Sequence, residues 1–404
     1  MKKHLIAAAV AAAVAVPAMA QNVEIYGVID LSATSSSKTA TAVDKGTTSA
    51  GTATTVNSSL LSTNRLGFRG TEDLGKGLKA GFVLETNVAF DSEGARNIGD
   101  RGAEIFVNGA FGEVRIGKGA TSDANTICSG PTNLTNFTGS SVAAAGTTSR
   151  VGCGTAVRPD NRIQYISPSF SGLKVNLAYA TNSDDVETNN LAKATEDDGK
   201  YTNIGLSYSA GPLTAVAFQA RRDIQTAESA ASVATSTITN AASCTSALCT
   251  ADNSAGTGYR FKTVVTAAGD TAAQDGKIKD TGLMARYDFG VLAAQVRYVK
   301  TKTSGDVNVE IDTKTTALDV TAPLGNGFAV GAGYMKIKDK ERDDNDASKY
   351  AVYVTKELSK RTNVYAAYSR SDNDDNQFVA ASGAAGTYAG EKQRMFGLGV
   401  RHSF

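Results

Sequence analysis

The stretch Gln393-Arg-Met-Phe-Gly-Leu-Gly-Val-Arg-His-Ser-Phe404 decides the fold, because two kinds of residue alternate along it. One face of the predicted strand carries Phe396, Leu398, Val400, His402 and Phe404; the other carries Met395, Gly397, Gly399, Arg401 and Ser403. Successive side chains on a strand point to opposite faces, so one face is apolar and the other is small or charged. Such a strand suits lipid on one side and water on the other when both of its edges are paired. We therefore expect a closed β-barrel in a membrane.

The opposite end of the sequence predicts export. A short basic start is followed by the apolar run Ile6–Val16 and then by an Ala18-x-Ala20 cleavage site. This order is typical of a secretory signal peptide. An N-terminal membrane anchor is the alternative, but the run is shorter than the ~20 residues of a spanning helix. We expect residues 1–20 to be the signal peptide and residues 21–404 to form one barrel domain.

Composition excludes several classes of protein. Without Lys2 and Lys3 of the signal peptide, 39 of the 41 basic residues remain against 40 acidic ones, so there is no global basic field to bind nucleic acid. No later stretch is long and apolar enough for a spanning helix, so any crossing of the bilayer is by strands.

Alternation with period 2 recurs along the chain. Leu78, Ala80, Phe82 and Leu84 alternate with Lys79, Gly81, Val83 and Glu85, and the same pattern returns at 173–179, 216–221 and 292–298. A helix would place its apolar residues three and four positions apart, so these segments are predicted strands.

The connections alternate between short and long. Seven tight turns are predicted at Asp73–Lys76, Phe111–Gly112, Pro168–Ser171, Ala210–Pro212, Phe289–Gly290, Pro323–Asn326 and Leu358–Arg361. Eight polar loops are predicted at about 35–59, 91–100, 120–158, 182–199, 224–278, 303–308, 340–345 and 374–388. Fifteen connections predict an all-β, sixteen-stranded transmembrane antiparallel barrel whose first strand, Val23–Ser32, pairs with its last. A secreted β-sandwich or solenoid adhesin would not segregate turns and loops by length in this way.

Three motifs resemble one known family. Asn64-Arg-Leu-Gly-Phe-Arg-Gly-Thr-Glu-Asp-Leu-Gly-Lys-Gly-Leu-Lys-Ala-Gly-Phe82 is similar to the second-to-third strand hairpin of Gram-negative trimeric porins of the β-proteobacterial type. Gly109–Lys118, Asn161–Gly172 and the terminal Phe404 are similar to later motifs of that family. The resemblance implies a homotrimer in the outer membrane, in contact with lipid and lipopolysaccharide, that lets small hydrophilic solutes and ions diffuse passively. It also implies recognition of Phe404 by the assembly machinery.

The resemblance also implies an inward-folded third loop, here about Ala120 to Arg158. Asp123 is the only carboxylate of this loop, and Arg150 and Arg158 are its basic residues. The family often places acidic groups there, so the near absence of acids is a departure.

Alternation predicts which charges line the pore. If apolar neighbours face lipid, the basic residues between them face water, because a charge on the lipid face at mid-bilayer costs ~2–4 kcal/mol. The predicted constriction residues are Arg65, Arg69, Lys79, Arg115, Arg162, Glu85, Glu104 and Asp123, and Arg297 is also expected to point inward. Basic groups outnumber acids in this set, which predicts a weak anion preference. Taken singly, each of these basic residues is equally consistent with a side chain that is simply hydrated inside the barrel and has no role in selectivity.

The four cysteines form two pairs that are local in sequence. Cys128 and Cys153 lie in one long loop, and Cys244 and Cys249 lie in another. Export through an oxidising periplasm favours two disulfides. Free thiols and metal binding are the alternatives, and no histidine lies near either pair. No cofactor and no metal site is predicted; the oxygen-rich segments Asp343–Asp346 and Asp372–Asp375 lack the rest of a calcium loop.

Three other functions fit the sequence less well. A hydrolase would need a base, and the only histidine beyond the signal peptide, His402, lies in the outward register, so no enzyme is expected. A substrate-specific channel would show an aromatic ladder or a charge track, and none is evident. A surface adhesin would add to a channel rather than replace it. Aromatic residues near strand ends are expected to form interfacial girdles: Tyr26, Phe90, Tyr165, Tyr287, Tyr368 and Phe404.

Overall fold

The computed structural model describes only part of the chain. The described residues are 23–38, 51–91, 97–132, 134, 140–141, 158–181, 200–226, 233–234, 266–267, 274–306, 310–374, 378–379 and 390–404. The predicted signal peptide and Cys153, Cys244, Cys249 and Arg150 lie outside them. No helix among the described residues is long and apolar enough to cross a bilayer.

Nearly all of the regular structure is β. The strands are β1 (Glu24–Lys38), β2 (Gly51–Ser58), β3 (Arg65–Gly75), β4 (Leu78–Asn87), β5 (Gly102–Gly109), β6 (Gly112–Lys118), β7 (Ser140–Ser141), β8 (Arg162–Ile166), β9 (Leu173–Ala180), β10 (Tyr201–Ala210), β11 (Leu213–Thr226), β12 (Val233–Ala234), β13 (Thr266–Ala267), β14 (Gln274–Asp288), β15 (Ala293–Asp306), β16 (Asp312–Gly325), β17 (Phe328–Asp339), β18 (Ala347–Glu357), β19 (Thr362–Asn373), β20 (Phe378–Val379) and β21 (Gln393–Ser403). One described helix, α1 (Ser122–Cys128), follows β6.

Seventeen of these strands form one antiparallel sheet that closes on itself. On one side β1 pairs with β21, from Val28 opposite Ser403 to Lys38 opposite Gln393. On its other side β1 pairs with β3 over its first part and with β2 over its second part. Because β2 and β3 share one place in the ring, the seventeen strands make a sixteen-stranded barrel.

The closure between the first and last strands is confirmed. Backbone hydrogen bonds join Gly27 N to Phe404 O at 3.1 Å and Phe404 N to Gly27 O at 3.2 Å. The Phe404 ring covers Gly27 so closely that a Cβ on residue 27 would overlap it. A glycine at this position therefore lets the terminal ring lie flat over the seam.

The strand ends confirm the seven short turns and eight longer connections between barrel strands. Several strands extend into the predicted loops, as β11, β14 and β15 do, and the largest boundary errors are in the first loop. The first strand continues to Lys38, and β2 occupies residues that were assigned to a 35–59 loop, so that connection spans only 39–50. Serine and threonine dominate this segment, and their hydroxyls satisfy one another across the β1–β2 pair, as between Thr34 and Thr55 at 3.3 Å.

The two faces of the barrel differ as the alternation predicted. Outward apolar side chains such as Ile105, Ile204 and Leu398 are more than half exposed on the lipid-facing surface. In β21, Met395 and Gln393 on the inward face are buried. One predicted girdle position was wrong: Tyr26 faces inward, where its hydroxyl donates to Glu85 Oε2 at 3.1 Å.

In β11 the apolar face points inward rather than to lipid. Val216, Phe218 and Ala220 are almost fully buried, whereas Gln219, between Phe218 and Ala220, is exposed. These three apolar residues belong to a buried cluster that includes Ala124 and Ile127 of α1. An amphipathic strand can place its apolar face in the lumen here because α1 covers that face and keeps water from it.

Candidate functional site: the charged wall of the lumen

An arginine cluster surrounds Glu85 on the inward face of the barrel. Arg101 Nε lies 2.6 Å from Glu85 Oε1, and Arg65 Nε lies 3.6 Å from Glu85 Oε2. The side chain of Arg65 is 30% exposed and that of Arg101 is 11% exposed. These guanidinium groups therefore stay in contact with lumen water while sharing one carboxylate.

Two further arginines lie next to Arg65 and Arg101. Arg158, which precedes β8, interacts electrostatically with Arg101, Glu85, Asp100 and Arg65. Burial, reinforced by the neighbouring Arg101, lowers the pKa of Arg158 to about 10, so the group is still positive at neutral pH. On the other side, Arg401 of β21 is close enough to Arg65 to repel it.

The barrel brings these four residues together from distant parts of the sequence. Arg65 begins β3, Arg101 and Arg158 stand just before β5 and β8, and Arg401 lies near the end of β21. Alternation correctly placed Arg65, Glu85 and Arg401 on the inward face. It missed Arg101, because this residue lies outside any strand, and it recorded Arg158 only as a basic residue of the third loop.

A second ion-pair network lies further along the wall. Glu104 binds both Arg115 and Arg162, and Arg115 Nε also lies 2.5 Å from Glu113 Oε1. The Arg162 side chain is fully buried, and its Nη1 donates to Ala120 O at 2.6 Å. Two guanidinium groups face two carboxylates here, so this network is balanced, and Arg162 holds the start of the third loop.

Two of the predicted residues lie at the short-turn end of the barrel instead. Arg69 is half exposed and pairs with Glu24 at 2.8 Å, at the start of β1. Lys79 is exposed at the second position of β4, next to the turn at Gly75–Gly77. Arg69 borders the Glu85 cluster through Tyr26: its guanidinium carbon lies 5.0 Å from the Tyr26 ring centroid, and the Tyr26 hydroxyl donates to Glu85.

The third loop is attached to the inner wall through α1. The Asp123 carboxylate accepts hydrogen bonds from the side-chain amides of Asn176 at 2.5 Å and Asn203 at 2.9 Å. Asp123 is only 3% exposed, and burial raises its pKa in spite of these two donors. Gly205 lies against it, and a Cβ at that position would overlap the carboxylate. Asp123 thus faces the wall and not the open lumen.

A buried ion pair supports the other end of α1. Arg297 and Asp319 are 2.8 Å apart, with side chains 0% and 2% exposed. Arg297 Nη1 also donates to Ile127 O at 3.2 Å, near the last turn of the helix. The inward orientation predicted for Arg297 is confirmed, but its guanidinium is sealed beneath the loop.

Cys128 ends α1 and is part of a disulfide. Its partner lies outside the described residues, so the Cys128–Cys153 and Cys244–Cys249 pairings stay predictions. No group of three or more His, Cys, Asp or Glu side chains in the described part of the chain is arranged to hold a metal ion.

Comparison with known proteins supports this architecture. A family model described as Gram-negative porin matches residues 7–252 and 232–376. Outer membrane porin protein 32 of Delftia acidovorans is 29% identical over 420 residues, covering 100% of both chains. An outer membrane porin protein of Bordetella pertussis is 26% identical over 445 residues, again covering 100% of both.

Solved structures agree. The anion-selective porin from Comamonas acidovorans superimposes with a TM-score of 0.71 at 26% identity, covering 95% of this chain and 100% of that one. OmpT of Vibrio cholerae in its trimer form gives a TM-score of 0.59 at 16% identity, with 95% and 100% covered, and shares the fold.

Proposed function

The chain belongs to the Gram-negative porins of the outer membrane, and we propose that it forms a water-filled channel with an anion preference set by the cluster around Glu85. The channel lets small hydrophilic solutes and ions diffuse passively. The similar Comamonas protein is named as anion-selective, which agrees with this proposal.

The excess of guanidinium groups over carboxylates around Glu85 carries the proposal. Arg65, Arg101, Arg158 and Arg401 gather where Glu85 and Asp100 are the carboxylates facing them. The nearest further acid, Asp30, interacts with Arg401 but binds backbone N–H groups of residues 61 and 62. In a narrow aqueous pore, fixed positive charge raises the local concentration of anions and repels cations.

Solvent access separates the residues that act on ions from those that hold the wall together. Arg65 and Glu85 keep contact with the lumen, whereas Arg162 and Arg297 are fully buried and each is paired with an acid. We therefore assign the constriction to Arg65, Arg101, Arg158, Arg401 and Glu85. Arg115 and Arg162 together balance Glu104 and Glu113, so this neighbouring stretch of wall carries no net charge.

Reconstitution into a planar bilayer tests the selectivity. Under a KCl gradient, the reversal potential is expected to have the sign that chloride permeation gives. A reversal potential of the opposite sign, showing cation preference, would contradict the assignment of the Glu85 cluster as the controlling field.

We further propose that three copies assemble in the outer membrane, with lipopolysaccharide and lipid against the apolar outer face. Each inserted unit is then expected to close in three equal conductance steps. Single-step closure of a folded, purified sample would argue for a monomer.

A catalytic role finds no support in the placement of His402. Its ring lies on the outward face and shares a 2.9 Å hydrogen bond with the Thr362 hydroxyl. For the cysteines, we propose the local pairings Cys128–Cys153 and Cys244–Cys249. Mass mapping without reducing agent that found four alkylatable thiols would refute them.

A further inference from the structure

We propose that residues 59–64, between β2 and β3, form a second constriction element that holds the third loop at Leu134 and fixes the position of Arg65. This inference rests on the proposed channel function and assigns to it a determinant of pore size. We call residues 59–64 the β2–β3 insert.

The insert leaves and rejoins the barrel wall within six residues. Ser59 has φ of 67°, in the left-handed region that a residue other than glycine seldom adopts. Its N–H donates to Asp30 O at 2.9 Å, and its Oγ accepts the N–H of Asn64 at 2.8 Å. Both ends of the insert are thus fastened beside β1, and the residues between them depart from the strand.

The middle of the insert lies inside the barrel. Leu60 is 1% exposed and Leu61 is 5% exposed, and both belong to a buried cluster with the inward residues Tyr365, Ala367 and Met395. A Cβ added to Gly397 would lie 2.7 Å from Leu60 Cδ2, so the small residue of β21 leaves room for this side chain. A loop that turned toward solvent would not bury two leucines.

A buried carboxylate anchors the insert. Asp30 is fully buried, and its Oδ2 accepts the N–H groups of Leu61 at 2.7 Å and Ser62 at 2.6 Å. The Tyr365 hydroxyl donates to Oδ1 of the same group. In return, the side chain of Asn64 accepts the Asp30 N–H at 2.5 Å. A carboxylate is costly to bury unless such donors surround it, so this arrangement holds the insert in one position.

The insert and the third loop meet through apolar contacts. Leu134 of the third loop is 0% exposed and lies in the same cluster as Leu60 and Leu61. Leu134 also lies against Ala351 and Met335 on the wall. Burial of these leucines away from lumen water favours attachment of the third loop to the β2–β3 insert. The third loop therefore has one attachment at α1 and a second at the β2–β3 insert.

The insert also ends at the proposed selectivity residue. Arg65 follows Asn64 directly, and its Nη1 lies 3.4 Å from Thr63 O. The Asn64 carbonyl accepts the N–H of Val88 at 3.2 Å, which ties the end of the insert to the end of β4 beside Glu85. Movement of the insert would shift both the width of the pore and the Arg65 guanidinium.

The test is single-channel recording of a Leu60→Ala, Leu61→Ala double variant. We expect the conductance to rise about 1.5-fold to twofold and voltage-induced closure to begin at a lower potential, because the third loop loses one attachment. The matched control is Leu398→Ala, an outward-facing leucine of β21 that is 55% exposed; its conductance is expected to equal that of the wild type.

Two further variants keep the test decisive if the double variant does not fold. Asp30→Asn preserves shape but weakens the anchor, and it is expected to change closure in the same direction. Leu134→Ala alone is expected to raise the conductance in the same direction as the double variant, because it removes the third loop's side of the contact; added to Leu60→Ala, Leu61→Ala it is expected to have no further effect. Wild-type conductance and closure in both Asp30→Asn and Leu134→Ala would overturn the inference. A wild-type protein that forms no channel would instead overturn the proposed function.

Discussion

The two sides of the lumen wall obey the same alternation but carry different chemistry. From β10 to β15 the inward side chains lie beneath α1, and many are apolar or paired in buried contacts, as Phe218 and Arg297 are. From β3 to β6 the inward face keeps water contact and carries Arg65, Glu85 and Arg115. What an inward residue does therefore depends on whether the third loop covers it. Charged side chains buried under the third loop stabilise the fold, whereas charged side chains exposed to lumen water act on permeating ions.

The largest effect is expected from the covered side. Arg297→Met leaves the buried Asp319 without its guanidinium partner and is expected to destabilise the barrel by ~3–5 kcal/mol. Replacing both, with Asp319→Leu added, is expected to recover most of this loss. The fraction of heat-modifiable folded protein on gels across a urea series measures both variants. Equal stability of Arg297→Met and the wild type would show that the pair is not desolvated.

On the open side, charge removal is expected to change selectivity and leave stability nearly unaltered. Replacing Arg65, Arg101 and Arg158 by Gln is expected to lower the anion-to-cation permeability ratio about tenfold, because fixed positive charge in a narrow pore concentrates anions and repels cations. Reversal potentials in a KCl gradient measure it. The control is Arg221→Gln on the outward face of β11, for which no change in the permeability ratio is expected. An equal change in the control and in the triple variant would contradict the assignment of selectivity to the open side of the lumen.

A smaller effect is expected where the two sides meet. Gly205→Val places side-chain atoms where the Asp123 carboxylate binds the wall, so α1 must move toward the lumen. We expect single-channel conductance to fall about 1.5-fold, because the displaced loop narrows the pore. Ile204→Val, the exposed outward neighbour, is the matched control. An unchanged conductance in Gly205→Val would mean that α1 does not bound the pore.

The smallest effect is expected at the short-turn end. Lys79→Gln removes an exposed charge six residues from Glu85 along β4. Screening by salt limits the reach of this charge to about 10 Å at 0.1 M, so the permeability ratio is expected to change less than ~1.5-fold. The reversal potential at 0.1 M and 1 M KCl measures this change. A shift as large as that of the arginine triple variant would mean that the constriction lies at the short-turn end and not at the Glu85 cluster.

Local sequence determined most of the barrel. Period-2 alternation assigned the faces of β4, β9, β15 and β21, and clusters of turn residues such as glycine, proline and serine located the short connections. Period-2 alternation could not predict the β2–β3 insert, because Leu60 and Leu61 are adjacent in sequence and do not alternate. Their burial depends on Asp30 and Tyr365, which are distant in the chain. Alternation also could not detect that β11 turns its apolar face inward, since the helix that covers it lies some ninety residues earlier in the chain.

For the candidate site too, local sequence patterns predicted the direction of a side chain but not its contacts with distant segments. The sequence identified Arg65 and Glu85 because strand register is local, but it grouped them with Arg162 and Asp123, which the fold buries in ion-pair or amide contacts. Arg101 was missed because a residue outside a strand has no register from which its direction follows.

By itself, the sequence determined a closed barrel of sixteen strands, its seam at Phe404 and the inward direction of its mid-strand arginines. These follow from alternation and turn chemistry, which act over a few residues. Only the tertiary structure decided which inward charges meet water and which are sealed under α1 and the β2–β3 insert. That outcome depends on contacts between segments far apart in the chain, where burial and pairing set the energy of each charge.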